Sequence, residues 1–114
     1  MNADQALRTL LSDLGDDRAA VVELVNLFLT EGPTLLASGR AALKAKDIAS
    51  LQRAYHTLKG NAAQFGLEGV REQALAIEQA ARGGAFPKLD QLAALDQSWA
   101  EASAALAAWA ANGR

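Results

Sequence analysis

At 114 residues the chain is long enough to bury one core and too short for two ordinary domains. It is 51% hydrophobic with a formal charge of -2, so a real core can form, and no basic block or basic amphipathic stretch points to nucleic acid or to a membrane surface. Cysteine is absent, which removes disulfide scaffolds, thiolate metal sites and cysteine nucleophiles. The opening MNADQALRTLLSDLGDD has no basic region followed by an apolar stretch, and no apolar run between breakers reaches the length of a bilayer span, so a cytoplasmic location is expected.

Alanine and leucine dominate while β-branched and aromatic residues are sparse, a balance that favours helices. Gly15-Asp16-Asp17, Gly32-Pro33, Lys46-Asp47, Gly66 and Gly83-Gly84 to Pro87 divide the chain into six helix-length pieces. The first, about 3–14, carries Leu7, Leu10, Leu11 and Leu14 on one side. The second, about 17–31, starts at an acidic cap and presents Val21, Val25, Phe28 and Leu29. Pro33 suits the first turn of a third helix over about 33–45. The fourth, about 47–65, has Asp47 as N-cap and Ile48, Leu51, Tyr55, Leu58, Ala62 and Phe65 at alternating steps of three and four. Leu67, Val70, Ala74, Ile77 and Ala81 repeat those steps over about 67–82, and Leu92, Leu95, Trp99, Leu106 and Trp109 mark a last helix over about 88–111, with both tryptophans expected to pack. Short connections imply antiparallel neighbours. The expected architecture is all-α: one domain over 1–114, an antiparallel four-helix bundle with its core in about 17–82, and additional N-terminal and C-terminal helices.

His56 is the only histidine. A lone histidine on a helix is ordinarily a surface bystander, but its position argues for more. At about 100° per residue the apolar stripe of its helix centres about 130° away, so the imidazole points to solvent. Gln52, Lys59, Gly60 and Ala63 share its face, with Arg53 and Gln64 at the edge. Gly60 is unusual there, because a glycine inside a helix costs roughly 1 kcal/mol relative to alanine. On a solvent-facing side, clearance for a docking protein explains it better than close packing of another helix. Lys59, three residues from His56, stands beside it and places an ammonium within reach of any anionic group carried on the ring.

The stretch Ala54-Tyr55-His56-Thr57-Leu58-Lys59-Gly60-Asn61-Ala62-Ala63-Gln64-Phe65-Gly66 resembles the signature of histidine phosphotransfer (HPt) domains: His, any residue, Leu, Lys, Gly, then Gly ten residues after the His. The resemblance spans about residues 16–82. It implies an antiparallel four-helix bundle with His56 exposed in mid-helix and phosphorylated at Nε2 by the aspartyl phosphate of a receiver domain, or passing its phosphoryl group to one. It further implies that Lys59 assists the phosphoryl group, that Gly60 leaves room, and that Gln64 orients the imidazole or contacts phosphate.

On this reading the protein is a phosphocarrier without ATP binding or autokinase activity, since no phosphate-binding glycine loop surrounds Gly83-Gly84. It has no cofactor of its own, and the partner receiver supplies Mg²⁺. His56, Lys59 and Gln64 form the catalytic set; Gln52, Arg53, Gly60 and Ala63 form the partner-binding surface, with Leu7 and Leu11 as weaker candidates. A monomer that meets receiver domains, and neither nucleic acid nor membrane, is expected. Two rival readings are a helical adaptor that accepts no phosphate, which would need no nucleophile, and a di-metal bundle. The latter fails on Arg53 standing where a Glu-x-x-His pair needs a carboxylate. Met1 and a full last helix suit a free-standing protein, although a domain cut from a larger kinase would look alike.

Overall fold

The computed structural model describes residues 2–112. Among the described residues it is built of five helices: α1 (Ala3–Asp13), α2 (Arg18–Lys44), α3 (Ile48–Gln64), α4 (Glu68–Arg82) and α5 (Leu89–Ala111). Side-chain caps set the first three starts. Asn2 accepts from the Gln5 backbone N–H at 2.9 Å while the Gln5 side chain accepts from Asn2 N–H at 3.0 Å. Asp17 accepts from Ala20 N–H and Asp47 from Ser50 N–H, each at 3.1 Å. Gly66 turns the chain from α3 into α4 with φ +66°, and a Cβ there would lie 2.5 Å from the Asn2 carbonyl oxygen, so both backbone conformation and close approach require glycine.

The two helices expected on either side of Gly32-Pro33 are one continuous helix, with Pro33 inside α2. An interior proline removes one helical hydrogen bond and costs roughly 3 kcal/mol. Tertiary packing outweighs that local preference. A Cβ at Gly32 would lie 2.1 Å from the Trp99 indole, and one at Gly39 would lie 2.4 Å from the Tyr55 ring. These glycines are contact points where α5 and α3 press against α2, rather than breaks in it. The joined helix is long and apolar enough, by length and composition alone, to cross a bilayer, with a mean hydropathy of 1.3 in its best window. Here its buried side chains Val21, Val25, Phe28 and Ala42 serve the bundle core.

The expected all-helical bundle is present, but because two expected helices merge into α2, residues 17–82 supply three of its four helices and the C-terminal α5, expected as an addition, is the fourth. α2 packs on α3 and α5, and α4 packs on the same two, closing a ring of four long helices. Neighbours run antiparallel: Gly39 meets Tyr55 while Phe28 meets Phe65, and Arg40 pairs with Asp96 while Arg18 meets Trp109. The core holds Leu51, Tyr55, Leu58, Ala62 and Phe65 of α3, as the stripe predicts, against Val70, Ala74 and Ile77 of α4 and Leu92, Leu95 and Leu106 of α5. Each large apolar side chain fully buried there contributes roughly 1.5–3 kcal/mol. Phe28 joins the layers, with ring centroids 5.0 Å from Phe65 and 5.1 Å from Trp99. Trp99 and Trp109 both pack on this core, and Arg18 donates to the Trp109 carbonyl at 2.6 Å with its guanidinium 3.9 Å above the indole. α1 lies over α2, and Leu7 is buried in the core, so it belongs to packing and is withdrawn from the docking surface; Leu11 is partly buried against the same cluster.

Candidate functional site

His56 lies near the middle of α3 with 58% of its side chain exposed. The apolar stripe of α3 turns Tyr55 and Leu58 inward and thereby turns His56 outward, as the helical geometry requires. What the α3 pattern alone did not reveal is the residue behind the ring. Glu78 of α4 is 1% exposed, and its Oε2 lies 2.5 Å from His56 Nδ1. Lys59 Nζ donates to Glu78 Oε1 at 2.7 Å and stands 3.4 Å from His56 Nδ1. Arg82, one turn on from Glu78, donates to Oε2 at 3.1 Å.

Glu78 is a buried carboxylate held by three donors. Burial raises its affinity for a proton, but the hydrogen bonds and charges of Lys59 and His56 more than reverse this and hold the carboxyl below its usual value of 4.5. An ionised carboxylate only accepts hydrogen bonds, so the ring nitrogen facing it carries the hydrogen. In the neutral imidazole that leaves the lone pair on Nε2, at the far edge of the ring. Glu78 therefore selects the tautomer whose nucleophilic nitrogen faces away from α4.

Beside the ring is an open pocket of about 420 Å³ lined by Gln52, Arg53, His56, Thr57, Glu78 and Arg82. Gln52 and Arg53 thus stand with His56 as expected. Gly60 and Ala63 are exposed, and nothing lies within 4 Å of where a Gly60 Cβ would be. Internal packing gives no reason for that glycine. Lys59 is three-quarters covered, with 24% of its side chain exposed, because it reaches inward to Glu78. Gln64 is placed differently from the expectation that it orients the imidazole. Eight residues on, it lies roughly 12 Å further along the helix. It lines a separate groove with Leu24, Leu27, Phe28, Glu31, Asn61 and Phe65, and Glu78 makes the ring contact instead.

Glu78 and Arg82 are the site residues that sequence reasoning missed. A signal existed. Glu78 follows Ile77 directly and falls on the flank of the α4 apolar stripe, where a carboxylate needs a buried partner.

The model of the Hpt domain matches residues 23–109. The chain belongs to the Hpt domain family. No curated protein matches it significantly in sequence. Among solved structures it is similar to the crystal structure of histidine-containing phosphotransfer protein B (HptB) from Pseudomonas aeruginosa PAO1, with a TM-score of 0.87 and 21% identity over 97% of this chain and 95% of that one. At that identity the likeness concerns the fold. The Hpt match covers all of α3 and α4, and so contains His56, Lys59, Gly60, Glu78 and Arg82 together.

Proposed function

We propose that this Hpt protein carries a phosphoryl group on Nε2 of His56, taking it from the aspartyl phosphate of one receiver domain and yielding it to the aspartate of another. The observation that carries the reading is the exposed imidazole whose Nδ1 edge is held by buried Glu78. The Nε2 lone pair attacks phosphorus in line; the N–P bond forms, the P–O bond to aspartate breaks, and the electron pair leaves with the carboxylate oxygen. The ring gains positive charge as the bond forms, and the Glu78 carboxylate at Nδ1 stabilises that charge. Lys59 keeps Glu78 ionised and in place.

The protein acts as a carrier rather than a kinase, and Mg²⁺ comes with the receiver domain. The receiver docks over Gln52, Arg53, Gly60 and Ala63, where the missing Gly60 side chain lets it approach the ring. The protein works in the cytoplasm as a monomer. The test is intact-mass analysis after incubation with a panel of phosphorylated receiver domains, with His56→Gln alongside. An acid-labile phosphoryl adduct on the wild type and none on the variant is expected. A folded wild type that takes no phosphoryl group from active donors leaves the adaptor reading in its place.

A further inference from the structure

Lys59 stands beside His56 but does not line the open pocket next to the ring. Its ammonium lies 3.4 Å from Nδ1 and 2.7 Å from Glu78 Oε1, and most of its side chain is covered. The pocket beside the ring is lined by two other cations. Arg82 is 59% exposed and spends one nitrogen on Glu78 Oε2. The rest of its guanidinium, with donors on the other two nitrogens, is uncommitted. Arg53, whose Nη2 donates to Ser50 Oγ at 3.0 Å, lines the same pocket.

From this division, and resting on the reading that His56 is the phosphoacceptor, we infer that Arg82, completed by Arg53, holds the phosphoryl oxygens during transfer, while Lys59 is a positioning residue that acts through Glu78. A guanidinium fits the task because its planar fork offers paired donors to phosphate oxygens. Arg82 is anchored through Glu78, so the carboxylate that orients the nucleophile also aims the cation. The negative charge that builds on the phosphoryl oxygens meets the arginines, and the positive charge that builds on the ring meets Glu78.

The experiment uses the full chain as wild type, Arg82→Gln, Arg82→Lys, the double variant Arg53→Gln/Arg82→Gln, and Lys59→Gln, each checked for folding by thermal denaturation. Single-turnover transfer from one phosphorylated receiver gives a saturating rate and a half-saturating concentration. The saturating rate is expected to fall about tenfold in Arg82→Gln and further in the double variant, with partial recovery in Arg82→Lys and little change in half-saturation. A second readout is the ³¹P-detected titration of the phosphohistidine itself. Cations at its oxygens lower the pH of its last ionisation, so the midpoint rises in the double variant and stays in place in Lys59→Gln. The inference is overturned if the arginine variants keep the wild-type saturating rate, if only half-saturation moves, or if Lys59→Gln shifts the phosphorus midpoint and the arginine variants do not. A wild type that gains no phosphoryl group fails at the earlier step and removes the phosphoacceptor reading itself.

Discussion

Glu78 Oε2 and His56 Nδ1 are 2.5 Å apart, although the two residues belong to different helices and only one of them faces solvent. The carboxylate fixes which ring nitrogen carries hydrogen, and so which one is free to react. Glu78→Gln keeps the shape but loses this control, because an amide presents either a donor or an acceptor to Nδ1. Phosphotransfer to the variant is expected to slow by about 10- to 100-fold, with the fold retained. Single-turnover transfer measures the rate, and ¹⁵N-detected NMR of the imidazole reads the tautomer. An unchanged rate together with an unchanged tautomer would remove Glu78 from the mechanism.

The same carboxylate makes stability depend on pH. Burial pushes its proton affinity up, but Lys59 and His56 overcome this and leave the folded-state value below 4.5. The unfolded chain therefore takes up this proton at higher pH than the folded chain. The contribution of Glu78 is fully present above about pH 4.5 and is lost as pH falls through the lower folded-state value. Asp47 and Glu68 are shifted the same way, chiefly through hydrogen bonds to the Ser50 and Arg71 side chains respectively, but they are common to wild type and variant and cancel in a comparison. Urea unfolding of wild type and Glu78→Gln should show wild type ahead by about 1.5–3 kcal/mol near neutrality, the value of a charged hydrogen bond. That gap should close towards pH 3. A gap that stays constant over the whole range would contradict the assignment.

Gly60 and Gly32 make opposite predictions from the same substitution. A Cβ at Gly60 meets nothing within 4 Å, so Gly60→Ala should stabilise the helix by about 0.5–1 kcal/mol through propensity alone. If the glycine is there to admit a partner, the more stable variant transfers more slowly. A Cβ at Gly32 would meet the Trp99 indole at 2.1 Å, between two packed helices that cannot easily part, so Gly32→Ala should destabilise by about 1–3 kcal/mol. Denaturant midpoints of both variants, with transfer rates for Gly60→Ala, test the pair. A Gly60→Ala protein that transfers at the wild-type rate would dismiss the clearance argument.

These contrasts show what was legible in the sequence. The α3 stripe placed Tyr55, Leu58 and Phe65 in the core and His56 outside it, because one helix face follows from spacing alone. The partner behind His56 was not legible, since Glu78 meets it only through the register in which α4 packs on α3. Lys59 was rightly placed beside the ring, but its spacing could not say that it turns inward to a carboxylate 19 residues away in sequence. The role that the resemblance implies for Gln64 at the ring is not met, because Gln64 stands only at the edge of the His56 face and the rise along the helix carries it away from the imidazole. Gly32 reads in sequence as a break beside Pro33, and only the arrival of the Trp99 indole shows it to be a packing contact inside a continuous helix.

Pro33 tests how far packing overrides local preference. It sits inside α2 yet is exposed, so its ring adds little to the core. Its missing N–H deprives the Leu29 carbonyl of a helical partner, a defect of roughly 3 kcal/mol in a helix interior. Replacing it restores that bond, but also frees the unfolded chain, which offsets roughly 0.4–1 kcal/mol. Pro33→Ala is therefore expected to raise stability by about 2–2.5 kcal/mol, seen as a higher urea midpoint with an unchanged slope. Phosphotransfer should be unaffected, since His56, Glu78 and Arg82 lie on α3 and α4. If the variant is less stable, the backbone that the proline ring fixes in α2 is itself needed to seat Gly32 against Trp99, and the continuous helix depends on the residue that seemed to divide it.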